Sequence, residues 1–233
     1  MIRILAFIFV PIFYLGTPEP FSGQGVEAPK GLSLVDQTFS HRVPSKFYEY
    51  SISFPEVVKY HPNTAHSINN HIQTITSKAL DEFQRRVAGL AESKKVSREI
   101  GINVMKLGYT VNFNDDGVLS IVFDKYVNVA DAPEAYQIHL AFNYHYHNDQ
   151  PLRLQDIFLH KDAARKYINT KIKSQYPDAK YTNKHLANFV IVPAGIKFYF
   201  NNGLDGVRQA PATFSVTWSE LNQFLNEDYK GDF

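Results

Sequence analysis

The stretch from Leu107 to Tyr126 constrains this chain more than any other. Leu107, Tyr109, Val111 and Phe113 alternate with small or polar residues, Asn114-Asp115-Asp116-Gly117 follows, and Val118 to Tyr126 (VLSIVFDKY) returns. A period of two marks a half-buried strand. Gly117 can take the positive φ that a tight hairpin turn demands. A chain with this hairpin at its centre must build an antiparallel sheet and then cover it.

The flanking segments supply the cover. Phe47 to Phe54 (FYEYSISF) is another strand, with Tyr48, Tyr50, Ile52 and Phe54 on one face. Pro62-Asn63-Thr64 opens a helix in which Ile68, Ile72, Ile75, Ala79 and Phe83 form one apolar stripe of about four turns. Glu92 to Glu99 (ESKKVSRE) has balanced charge and reads as a solvated connection. Ala135 to His147 is the next strand, with Ile138, Leu140, Phe142, Tyr144 and Tyr146 sharing a face. Asp162 to Tyr176 predicts a second helix through Ala164, Ile168, Ile172 and Tyr176. Strands are predicted at Phe189 to Val192, Ile196 to Phe200 and Thr213 to Thr217. Thr217-x-x-Glu220 then forms a capping box for a terminal helix carrying Trp218, Leu221 and Leu225. The expected class is α+β: an antiparallel meander packed with two longer helices and a short C-terminal one.

Residues 32–233 suffice for one domain with a real core. The 24 Lys and Arg against 23 Asp and Glu leave a net charge of +1, so no global field favours nucleic acid. The chain has no cysteine, which excludes disulfides, thiolate metal sites and a cysteine nucleophile. Arg3 precedes an apolar run of 12 residues, Ile4 to Leu15. That length suits a signal-peptide core better than a membrane span. Thr17 to Gly31 is rich in Gly, Pro and Ser and reads as a linker. Residues 1–28 are therefore expected to be a signal peptide or an N-terminal anchor with its linker. Export is the expectation, and membrane contact would arise only if that segment stays uncleaved.

Chemistry is scarce. Asn143 to Asn148 (NYHYHN) places His145 and His147 two positions apart, with His139 further back on the same expected face. An H-x-H pair supplies two metal ligands where a site needs three or four, so His139, His145 and His147 are only a secondary candidate for metal binding or hydrolysis. The chain has no G-x-S-x-G, P-loop, H-E-x-x-H or G-x-G-x-x-G motif. No cofactor and no enzyme activity are expected.

The order of elements, with FPEV (Phe54 to Val57), INNHI (Ile68 to Ile72), NDDGVLSIVFDKY (Asn114 to Tyr126), FNYHYHNDQPLRLQDIF (Phe142 to Phe158), GIKFYF (Gly195 to Phe200) and TFSVTWSELNQFL (Thr213 to Leu225), resembles an extracytoplasmic domain of unknown function. That domain occurs in the lysozyme-sensing anti-sigma factor RsiV and in PdaC-type peptidoglycan deacetylases. The resemblance spans about Lys46 to Glu227. It implies that His145 and His147 occupy variable positions on the solvent side of a strand. It also implies an envelope binding module whose ligand is cell-wall glycan or a lysozyme-like muramidase. The chain departs from the pattern at Val129 to Glu134, where many members carry a Gly-Gly-Ala-His-Gly-like loop. The expected contact residues lie on that connection and on the loop Gly203 to Pro211: Asp131, Glu134, Asp205 and Arg208. The resemblance covers the accessory domain only, so neither deacetylase nor anti-sigma activity is expected.

Overall fold

Asp116 and Gly117 carry φ values of 47° and 78°, the left-handed pair that a two-residue hairpin turn requires. The predicted hairpin forms around them, between β3 (Asn103–Asp115) and β4 (Val118–Asn128). The computed structural model describes residues 31–93, 101–129, 135–204 and 206–229. The connection at Glu92 to Glu99 lies mostly outside them. In chain order, β1 (Ser33–Val43) and β2 (Tyr48–Val58) precede α1 (Pro62–Ser93). After the hairpin come β5 (Tyr136–His145), β6 (Gln150–Pro151), α2 (Leu154–Ile157) and α3 (Lys161–Gln175). β7 (Phe189–Val192), β8 (Gly195–Tyr199), β9 (Thr213–Thr217) and α4 (Trp218–Leu221) complete the fold.

The class is α+β, but the strands divide into two sheets, β1-β2-β3-β4-β5-β6 and β7-β8-β9. Neighbours are antiparallel except β2 and β3, which run parallel. A parallel pair needs a long crossover, and α1 is that crossover. It is longer than the predicted stripe: the apolar series continues to Val87, and Ile68, Ile72, Ala79, Phe83 and Val87 are all buried. β1 was not expected. Its sequence, SLVDQTFSHRV, is mostly polar and mostly exposed, so no clear period-two pattern announces it.

β4 explains the second sheet. Leu119, Ile121, Phe123 and Val127 enter the core beneath α1. Val118 and Val122 point the other way, into cores shared with β7, β8 and α3. A strand covered on both faces reads as a near-continuous apolar run, and VLSIVF is such a run. The polar exception, Ser120, is fully buried and bonded across the two sheets. Its Oγ lies 2.5 Å from Asn143 Oδ1 and accepts from Ile191 N–H at 2.8 Å. Asn143 Nδ2 donates to Phe189 O at 2.7 Å. Buried polar groups this well satisfied fix how the sheets sit on each other.

The capping box at α4 forms as predicted. Glu220 accepts from the Thr217 backbone N–H at 3.0 Å and from Lys171 of α3. The Lys171 ammonium, and after it the Thr217 N–H, hold the Glu220 carboxyl down at about 2 against an ordinary 4.5. Because the folded value is depressed, the stabilisation is present above the unfolded value and is lost as pH falls through the folded one. Thermal melts should therefore show the wild-type advantage over Glu220→Gln in full at neutral pH, shrinking as pH drops from about 5 toward about 2. A pH-independent difference would contradict this.

Candidate functional site

The three histidines do not form a site. β5 ends at His145, so His147 sits in the following turn, exposed and lying against Gly117. The His145 and His147 ring centroids are 6.1 Å apart. His139 lies at the other end of the strand. Among the described residues no three His, Asp or Glu side chains gather as metal ligands. The expectation that this face of β5 meets solvent is also corrected. Asn143 is buried against β7, and Ala141 packs beside Val122 and Val190. The second sheet occupies the face, which a single-sheet reading left wet. Of the four predicted contact residues, Asp131, Glu134 and Asp205 lie outside the described residues. Arg208 is exposed, and its backbone exchanges hydrogen bonds with Lys180 at 2.8 and 3.0 Å.

The structure gathers polar groups elsewhere, along the open edge of β5. β6 pairs with Tyr144 and His145, and among the described residues no other strand pairs with the rest of that edge. Two asparagines substitute for one. Asn188, just past the short 3-10 turn Asn183–Ala187, accepts from Ala141 N–H at 2.9 Å and donates to His139 O at 3.0 Å and Tyr199 O at 3.1 Å. Asn201, just past β8, accepts from His139 N–H at 2.9 Å and donates to His139 O at 3.0 Å. A carboxamide carries a donor and an acceptor in the geometry of a peptide group, so the two side chains continue the ladder without a strand.

A cleft of about 640 Å³ opens beside this edge, between α1, the start of β5 and the segments around Asn188 and Asn201. An adjoining depression of about 490 Å³ shares Glu82, Ile138 and Leu204 with it and extends to Arg86 and Tyr136. Ile75, Ala79, Ile138 and Leu140 make an apolar floor, while Lys78, Lys184, His139 and His185 bring polar tips. Lys125 buries its stem (3% exposed) and meets Glu82 at 3.1 Å. Aromatic faces carry cations: Arg86 lies 4.9 Å from the centre of the Tyr136 ring and Lys197 5.1 Å from that of Tyr199. His139 Nδ1 lies 2.6 Å from Asp124 Oδ1, its cross-strand partner, and its ring centroid is 4.8 Å from that of Tyr199. The carboxylate fixes the ring with Nδ1–H toward it, leaving Nε2 as the free nitrogen. His185 turns Nδ1 to Thr182, and its Nε2 is buried without a hydrogen-bond partner.

An oriented His–Asp pair is half of a nucleophilic centre. The other half is a nucleophile within reach of the free nitrogen; among the described residues lining the cleft the hydroxyl nearest at hand is that of Tyr199, whose ring packs on His139, and no Ser, Thr or Cys is there. The cleft combines an apolar floor, a few polar tips and aromatic faces. Sequence reasoning reached His139 for a different reason and missed Asp124, Tyr136, Lys184, Asn188 and Asn201. Their one sequence signal is polarity at ends of strands and turns, which is common to any surface.

No family model matches the sequence, and no curated protein matches it. Among solved structures, the chain is similar to a member of the DUF3298 family from Bacteroides fragilis, with 13% identity and a TM-score of 0.55. That match covers 86% of this chain and 96% of the other. A DUF3298 family protein from Pseudomonas aeruginosa is similar with 14% identity and a TM-score of 0.58, covering 88% of this chain and 98% of the other. At these identities the shared property is the fold, that of a domain of unknown function.

Proposed function

We propose that the chain is an exported, non-catalytic binding domain of the bacterial envelope, and that the cleft along β5 holds a carboxylate-bearing segment of cell-wall glycan. One observation carries the reading: the cleft sets an apolar floor and cationic tips beside a strand edge whose backbone groups Asn188 and Asn201 already satisfy. The cations support an anionic ligand. Lys78 and Lys184 line the cleft, whereas Glu82 is engaged by Lys125 and Asp124 by His139. Tyr136 offers an aromatic surface of the kind that stacks on sugar rings. Leu204 and Val207 bring the loop Gly203 to Pro211 to its rim, which keeps part of the surface expected from sequence. Export rests on Arg3 and the apolar run to Leu15, and the bacterial setting on the two structural neighbours.

Calorimetric titration with soluble peptidoglycan fragments tests the reading. Lys78→Glu and Lys184→Glu should each weaken binding on the order of tenfold, more at low salt than at high. His145→Ala with His147→Ala should leave it unchanged. Failure of the fragments to bind, with tight binding of a muramidase instead, would replace the glycan by a protein ligand. The His139–Asp124 pair favours a second reading, a small envelope hydrolase with His139 as base. Turnover of a wall substrate that is lost in His139→Ala would establish it and overturn the first.

A further inference from the structure

We propose that β1 is a self-pairing edge through which two copies of this chain join their six-stranded sheets antiparallel, with the two-fold axis at Phe39. β1 terminates the sheet, and among the described residues no strand lies on its outer side. Its ladder with β2 runs from Ser33↔Val58 to Val43↔Tyr48 without a register shift. Edge strands are ordinarily blunted by charged side chains (above all lysine), proline, a bulge or brevity. β1 is 11 residues long with no proline, lysine or register shift, and its two charges, Asp36 and Arg42, are of opposite sign. It also exposes two large apolar side chains, Val35 at 46% and Phe39 at 42%.

The residue order names the occupant. An antiparallel pair centred on Phe39 sets Phe39 opposite Phe39 of the second copy, Thr38 opposite Ser40, Gln37 opposite His41, Asp36 opposite Arg42 and Val35 opposite Val43. Every pair is like with like or charge with opposite charge, and each off-axis pair occurs twice by symmetry. Alternation puts Val35, Phe39 and Val43 on one face and Asp36 and Arg42 on the other. Apolar pairs and ion pairs therefore stack separately. Both charges keep capacity for the contact. Asp36 accepts one hydrogen bond, from Tyr109, and Arg42 lies 3.7 Å from Glu49 with its side chain 61% exposed. Opposite charges across a ladder stabilise and like charges destabilise, so the register is specified as well as allowed.

Sedimentation equilibrium of the purified full chain should show a concentration-dependent dimer. Asp36→Arg and Arg42→Asp should each weaken it on the order of tenfold or more, because each places two like-charge pairs across the axis. The double reversal should restore it. Since Asp36 also meets Tyr109, circular dichroism melts accompany each variant, and a cysteine probe stands apart from the charge swap. The chain has no cysteine, so Phe39→Cys creates a single thiol on the two-fold axis. There, paired Cα atoms approach within disulfide range. Oxidised glutathione should convert that variant to a disulfide-linked dimer and leave Val111→Cys, an exposed position on β3, without a disulfide between copies. A chain monomeric at all concentrations, a dimer indifferent to the reversals, or no preferential cross-linking through Phe39→Cys would each overturn the proposal.

Discussion

Truncating Trp218 to alanine is expected to destabilise the domain by about 3–5 kcal/mol, the range for large buried aromatics. Trp218 is 9% exposed and lies in the core with Ile157, Ile168, Leu221 and Leu225. It opens α4, whose first turn is fixed by the Glu220 cap, so the ring is anchored at its base. The cavity would open where the terminal segment meets α3 and the second sheet. Because Trp218 is the sole tryptophan, the measurement is urea unfolding followed by circular dichroism. The slope should be unchanged and the midpoint lowered. A loss below about 1 kcal/mol would mean that the terminal turn does not pack as described.

Replacing Asn188 by alanine carries the second large effect, about 2–4 kcal/mol, although the residue is polar and sits just past a turn. Its carboxamide satisfies Ala141 N–H, His139 O and Tyr199 O. Partly buried backbone groups left without partners cost about 1–3 kcal/mol each where water cannot replace the bond. Asn188→Asp keeps the shape but removes both donors, so it should recover little. Asn169→Ala, which removes an exposed bond to the Asn183 side chain, should change stability by less than about 0.5 kcal/mol. Equal effects at the two positions would contradict strand substitution by Asn188.

Periodicity exposed the parts of the fold that depend on local pattern. The hairpin of β3 and β4, the stripe of α1, the helix α3 and the short strands β7 to β9 appear within a few residues of where alternation and spacing place them. The parallel pairing of β2 with β3 was not legible, because it depends on what α1 packs against and not on either strand. The second sheet was foreshadowed by VLSIVF, a strand without a polar face, but that run is equally compatible with a helix covering each side. Without β7 to β9 as a covering sheet, the β5 face carrying His139, His145 and His147 reads as wet; His147, in the turn after β5, is exposed, but the face between, at Ala141 and Asn143, is covered. The cleft was less legible still. Its lining comes from α1, β5 and the segments around Asn188 and Asn201, far apart in sequence, and its key residues are asparagines and lysines with no characteristic spacing.

The proposed ligand site is the cleft beside the Asn-sealed edge of β5. Amide chemical-shift mapping of the isotopically labelled chain, titrated with soluble peptidoglycan fragments, tests it most directly. Shifts are expected to concentrate in Tyr136 to Ala141, Lys184 to Asn188, Asn201 to Val207 and the facing turns of α1 at Ile75 to Arg86. Shifts confined to the His145–His147 turn or to the opposite end of the sheet, or no shifts at saturating fragment, would contradict it.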